Sequence, residues 1–187
     1  MSSRKEILLD EILDYLLENG VASLSLRPLA DALGTSPRML LFYFKSKEGL
    51  LREAMQRINH QLQQKLAALS GSRPQRKNVA PLKLFWEWAT RNENLPYFRL
   101  LYEVQITAIL NPADYADALR QASLDWRRLA LQSMSNSLRD PVLADLCIAI
   151  FDGLLLECIV TGERRRLTAA LDRFVILLRE TRTKSAK

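Results

Sequence analysis

SLRPLADALGTSPRMLLFYFKSKEGL, residues 25–50, governs how the rest of the chain is arranged. Leu29, Ala30 and Leu33 recur at helical spacing, and Gly34 supplies the permissive backbone that ends a helix. Ser36 and Pro37 start another. The hydroxyl can accept from an orphaned N–H, and proline at the first helical position gives up a donor that has no partner there. A stop and restart this close predict two steeply crossing helices, Arg27–Leu33 and Pro37–Phe44, in a helix-turn-helix arrangement.

The second of these helices has unusual surface chemistry. Leu40 and Phe44, four apart, are expected to face the core, with Leu41 beside them. That turns Arg38, Met39, Phe42 and Tyr43 to the open side. Exposed apolar and aromatic groups mark a contact surface. In a DNA major groove Arg38 suits guanine O6 and N7, apolar groups suit thymine methyls, and Tyr43 can donate to a phosphate. Lys47 falls in the first turn of the next helix, with Ser46 as its expected cap. A cation beside a positive helix end is unfavourable unless an anion binds there, so a phosphate is the expected partner.

On these residues the segment from about 4 to 57 resembles the DNA-binding domain of the TetR (tetracycline-repressor-like) family of bacterial transcription regulators. The similarity rests on Ser25-x-x-x-Leu29-Ala30, Gly34, the aromatic step to Phe44, and Ser46-Lys47-Glu48-x-Leu50. The resemblance implies that Arg27 contributes from the first motif helix. It also implies that Ser36, Pro37, Arg38, Met39, Phe42 and Tyr43 lie at the groove and that Lys47 holds a phosphate. Two positions depart from the family pattern: Leu41 where tyrosine is common, and Arg38 where a small residue is common. The first removes one contact; the second suggests an individual operator preference.

A chain of 187 residues can bury a sizeable core in one domain or two. Few glycines and prolines, with Leu, Ala, Arg and Glu dominant, favour an all-α protein. The net charge of +6 is weaker support for nucleic-acid binding than its size suggests, because up to His60 eight basic residues meet eight acidic ones. The acids gather on the first helix, while Arg27, Arg38, Lys45 and Lys47 cluster around the motif. Such a patch attracts phosphates. No apolar run reaches the roughly 20 residues of a membrane span, and Asp10 and Glu11 interrupt any leader-like core, so a cytoplasmic location is expected.

Helical patterns continue along the chain. The first helix is expected over Glu6–Asn19, closed by Gly20, and completes a three-helix unit with the motif. A long helix over Lys47–Ser70 leaves that unit, followed by a polar loop to Pro81. Leu82–Arg91, Pro96–Leu110, Pro112–Leu138, Pro141–Gly162 and Leu167–Arg182 follow, about nine helices altogether. The expected architecture is a helix-turn-helix domain at 1–47 and a helical regulatory and dimerisation domain at 48–187. Aromatic residues concentrate in the second, where Trp86, Phe98, Tyr102 and Trp126 are candidates for a pocket holding a small apolar or aromatic effector. Plain core packing is the first expectation for any one of these residues, and the resemblance raises the pocket reading beside it. Glu87 and Glu103 are expected to pair with Arg91 and Arg99, each four residues away.

The helix over 141–162 is apolar around most of its circumference, which fits burial or a partner chain. Leu143, Leu146, Ile150 and Leu154, with Leu171, Phe174 and Leu178 of the last helix, are the candidate interface of a twofold homodimer. The Glu163–Arg166 run between them is expected to be a solvated loop. Cys147 and Cys158 read as buried thiols, and one histidine without a cysteine cluster gives no metal site or cofactor. No phosphate loop, nucleophile elbow or His–carboxylate pair points to an enzyme. The expected function is a DNA-binding transcription regulator, a ligand-responsive repressor acting on a palindromic double-stranded operator. The rival is an all-helical protein–protein adaptor, which leaves Pro37 and Lys47 unexplained.

Overall fold

The computed structural model describes residues 3–22, 24–71, 81–134 and 139–185, with only the backbone of 69–71 and 181–185. Among the described residues every element is a helix: α1 Arg4–Asn19, α2 Leu26–Ala32, α3 Pro37–Phe44, α4 Lys47–Gly71, α5 Pro81–Ala89, α6 Leu95–Leu110, α7 Pro112–Ser133, α8 Pro141–Thr161 and α9 Arg164–Ser185. The all-α class and the N-terminal helix-turn-helix are as the sequence predicts. Residues 72–80, most of the expected polar loop, and 135–138, the expected end of α7, lie outside the described residues.

Helix ends follow local chemistry. α1 starts two residues before the expected Glu6 because Ser3 and Glu6 form a capping box, each side chain accepting the other's backbone N–H. It ends at Gly20, whose φ of 72° and ψ of −174° suit glycine alone. α2 closes in a Schellman turn: Gly34, at φ 59°, lets Thr35 N–H reach Ala30 O at 2.9 Å and Gly34 N–H reach Asp31 O at 3.3 Å. Ser25 is the N-cap residue of α2, but its hydroxyl makes no capping bond. Ser36 caps α3 by accepting from Met39 N–H at 3.2 Å, with Pro37 at the first turn. Ser46 Oγ accepts from Gly49 N–H at 3.0 Å and caps α4 as expected.

Packing divides the chain into two compact units, Met1–Gln64 with Pro96–Leu124, and Lys65–Leu95 with Asp125–Lys187. The sequence-expected division after residue 47 falls in the first turn of α4, inside the first of these units. In the first unit Leu8, Ile12 and Leu16 of α1, Leu29, Leu40 and Phe44 of the motif, and Leu51, Met55 and Ile58 of α4 are all buried. Two ion pairs staple α1 to α4: Lys5–Glu53 at 2.8 Å, and the Arg57 guanidinium forked on both Asp10 oxygens at 2.9 and 2.8 Å. Both are partly exposed and contribute about 1 kcal/mol or less each.

In the second unit α5 packs on α8 and α9, which pack on each other. Phe85 stacks on Phe151 at 4.5 Å and on Trp88 at 5.5 Å between ring centres, and Trp126 lies 5.9 Å away. Trp86 meets Phe151 edge-on and donates its indole N–H to Thr168 Oγ1 at 2.8 Å. Lys83 pairs with Asp172 at 2.7 Å. α9 starts at Arg164, three residues before the expected Leu167, so the arginine run is helical rather than a loop. Gly162 at φ 72° turns the chain at once, and the Arg166 guanidinium donates to Glu163 and Glu157 carboxylates. Those acids offset a cation in a first helical turn, where the backbone dipole opposes it.

Candidate nucleic-acid interface

The open face of α3 carries the residues singled out by sequence. Arg38 and Met39 are exposed, Phe42 is 64% exposed, and Pro37 and Tyr43 are half-buried, while Leu40 and Phe44 are buried beneath them. Leu41, expected in the core, is 41% exposed instead. Adjacent residues are turned about 100° around a helix axis, and one Leu40–Phe44 row is enough to seat so short a helix. Phe42 and Tyr43 meet edge to face at 5.2 Å. Lys45 lies over the Phe42 ring at 5.7 Å and donates to the Phe42 carbonyl at 3.1 Å, a favourable place for a cation at the end of α3.

The turn joining α3 to α4 is tight. Lys45 takes φ 71° and ψ −44°, and Ser46 N–H bonds back to Phe44 O at 2.9 Å, a γ-turn in its strained, positive-φ form. This turn sets Lys47, half-buried, in the first turn of α4 directly after α3. Ser36 and Arg27 are exposed at the near ends of α3 and α2.

Charge on this unit is sorted by partner. Lys5 and Arg57 are occupied by Glu53 and Asp10. Among the described residues Arg27, Arg38 and Lys47 form no ion pair or hydrogen bond, although all three lie on or beside the motif. Unneutralised cations around an exposed aromatic face, next to the capped start of a 25-residue helix, make an anion-seeking surface with an apolar centre.

Residues 8–54 match the family model of the bacterial regulatory proteins of the tetR family. Over these residues the chain is similar to the TetR family. The helix-turn-helix described above is the part that matches. The fold agrees along most of the chain. A transcriptional regulator from Rhodococcus sp. Rha1 superposes with a TM-score of 0.73 at 20% identity, covering 91% of this chain and 92% of that one. A TetR-family member from Streptomyces coelicolor A3 gives 0.66 at 21% identity, covering 92% and 98%. The multidrug binding protein EbrR complexed with ethidium gives 0.69 at 21% identity, covering 91% and 98%. No curated protein matches the chain significantly.

The other candidate residues fall as follows. Trp86 and Trp126 belong to the second unit, Phe98 and Tyr102 to the first. Trp86 and Phe98 are buried; Trp126 and Tyr102 are half-buried. Glu103 does pair with Arg99, at 3.4 Å, whereas Arg91 pairs with Glu93 at 3.7 Å in place of the expected Glu87. His60 meets Gln64 one turn on, at 2.7 Å. Cys147 and Cys158 are buried free thiols, and burial pushes both above their ordinary range.

For the expected self-association surface, Leu146 is exposed, while Leu143, Ile150, Leu154, Phe174 and Leu178 are half-buried. Leu171 is fully buried inside its own unit, where α9 packs on its neighbours, so its side chain is not offered to a second copy. The outward apolar row of α8 is Val142, Leu146, Ala149, Gly153, Leu156 and Val160, recurring at four- and three-residue steps. Sequence alone did not separate this row from the inward one, because α8 is apolar on both sides. Among the described residues no acidic, histidine and cysteine group suits a metal, and no helix is long and apolar enough to cross a membrane.

Proposed function

We propose that this chain is a TetR-family regulator, a homodimeric repressor that grips a near-palindromic operator and lets go when a small apolar or aromatic effector binds. The observation that carries the reading is the outer face of α3: Arg38, Met39 and a Phe42 that is 64% exposed, flanked by Arg27 and Lys47 without protein partners among the described residues. In this reading α3 lies in the major groove, Arg38 reads a base edge, Tyr43 and Lys47 hold phosphates, and Arg27, Ser36 and Pro37 fix the approach. Two copies then occupy successive major grooves about 34–36 Å apart.

The two copies join through the outward row of α8, together with the exposed Ile176 and Leu177 of α9. A three- and four-residue apolar repeat is what a helix offers a neighbouring helix, and an isologous twofold contact follows when the same row meets itself. The effector site lies among the aromatic residues of the regulatory helices. That EbrR is complexed with ethidium supports an aromatic ligand here by likeness of fold alone. Such a ligand acts by binding the DNA-incompetent arrangement better than the competent one.

The test is a fluorescence titration of the protein against DNA upstream of its own gene and of neighbouring genes, over a range of salt. Sequence-preferring, steeply salt-dependent binding is expected. Arg38→Ala should relax preference at one base pair, and Lys47→Ala should weaken all sequences alike, reducing the salt slope by about 1. If both variants bind as wild type does, the docking face is wrong.

A further inference from the structure

The C-terminal end of α1 lacks a basic residue in its last turn. Helix ends usually recruit a cation there, because their last carbonyls are unpaired and carry the negative end of the dipole. Here the cation comes from α6. Arg99 Nη2 donates to Leu17 O at 2.7 Å, while the same guanidinium pairs with Glu103 at 3.4 Å. Glu103 Oε2 in turn accepts Val21 N–H at 2.8 Å, immediately after the α1 cap.

The intervening Gly20 is required by this arrangement twice. Its positive φ excludes ordinary side chains, and a Cβ there would sit 2.8 Å from Glu103 Oε2. The carboxylate therefore comes against bare backbone. All of these residues lie in the first compact unit.

We propose that Arg99 and Glu103 are positioning residues for DNA recognition: one ion pair on α6 clasps the exit of α1 and so sets the angle at which the helix-turn-helix is presented. α1 buries Leu8, Ile12 and Leu16 in the same unit as the motif and meets α3 directly, Lys5 Nζ lying 5.4 Å from the centre of the Phe44 ring, so the placement of α1 bears on that of α3. The clasp uses an acceptor and a donor on one helical turn, so a small shift or rotation of α6 breaks both contacts together. This inference rests on the DNA-binding reading above for its consequence, but not for the existence of the clasp.

The experiment uses the full-length chain with Glu103→Ala, Glu103→Gln and Arg99→Ala. Hydrogen–deuterium exchange at the Val21 amide is measured first, with no DNA present. The expected result is about tenfold faster exchange in Glu103→Ala, the equivalent of one lost bond to a charged acceptor, and a smaller change in Glu103→Gln, whose amide oxygen still accepts. Affinity is then measured on the preferred operator and on the same half-sites moved apart by one base pair. Wild type should discriminate between the spacings, and Glu103→Ala should lose at least threefold of that discrimination.

Unchanged Val21 exchange and unchanged spacing discrimination in Glu103→Ala overturn the proposal. So does a uniform loss of affinity with the spacing ratio intact, which is what mere destabilisation would give. If Glu103→Ala does not fold, Glu103→Gln and Arg99→Ala are judged by the same two readings. A wild type without sequence-preferring binding defeats the regulator reading instead, and Val21 exchange alone then decides whether the clasp exists.

Discussion

Gly49→Ala should loosen the junction that seats Lys47 beside α3. Gly49 is the third residue of α4, buried, with its N–H on Ser46 Oγ at 3.0 Å. A methyl group there falls well inside van der Waals contact with Phe44 O, and lies 3.4 Å from the Phe44 carbonyl carbon and 3.5 Å from Ser46 Oγ. Phe44 O is backbone, held by Ser46 N–H at 2.9 Å, so no side-chain rotation relieves the overlap. Two effects oppose each other. Alanine gains about 1 kcal/mol over glycine inside a helix. Overpacking costs about 1–3 kcal/mol, and an overlap with fixed backbone belongs at the upper end. The expected net loss is about 2 kcal/mol. At a urea m-value of about 2–3 kcal/mol/M, the unfolding midpoint should drop by about 0.7–1 M with m unchanged. Protein concentration is held equal, since association shifts the midpoint too. A Gly49→Ala protein as stable as wild type would refute the close passage of Phe44 O over α4.

Four further substitutions have expected outcomes. Tyr115 is 1% exposed and its hydroxyl has no hydrogen-bond partner among the described residues, so Tyr115→Phe should leave urea stability equal or raise it by about 1 kcal/mol. Burial first, then the Glu48 and Asp114 charges, raise the Tyr115 pKa. Its protonated form is therefore favoured by folding: the contribution is complete below the ordinary tyrosine value of 10.0 and is lost as pH climbs through the raised one. Stability measured from pH 8 to 12 should accordingly fall less steeply above about pH 10 in Tyr115→Phe than in wild type. Lys45→Gly should hold or raise the melting temperature, because relief of a strained backbone worth about 1–3 kcal/mol meets a glycine cost of about 0.5–1 kcal/mol; a clear loss would deny the strain. Trp86→Phe keeps the ring against Phe151 but deletes the bond to Thr168, with a loss of about 1 kcal/mol that should not add to that of Thr168→Val in a double-mutant cycle. Gly153→Arg, at a position where an added Cβ meets nothing, should leave the protomer folded but shift sedimentation from dimer to monomer; an unchanged dimer would place the contact elsewhere.

Sequence patterns exposed the motif because its signals are local. Gly34, Ser36 and Pro37 act on their own backbone within a few residues, so their chemistry is written in order along the chain. The Leu40–Phe44 row was legible for the same reason. Leu41 was not, because whether a third apolar residue is covered depends on what lies above it, and the described residues leave Leu41 41% exposed. The start of α9 was obscured by three consecutive arginines, the last of which, Arg166, pairs with Glu163 and with Glu157 on another helix. The α8 surface was hidden for a different reason. Its inner row of Ala144, Cys147, Phe151, Leu155 and Cys158 is as apolar as its outer one, so periodicity could not choose between them. Arg99 and Glu103 announced their own pairing at a four-residue spacing, but their bonds to Leu17 and Val21, some eighty positions away, left no trace in local order.

The staples and clasp around α1 bear on how such proteins can be recombined. A designer who exchanges recognition modules by cutting at the start of α4 severs Lys5 from Glu53 and Asp10 from Arg57, and leaves Leu17 and Val21 facing a foreign helix. The transplantable cassette is discontinuous: residues 1–64 have to travel together with 96–124, or the new host must be given an arginine and a glutamate at matching places.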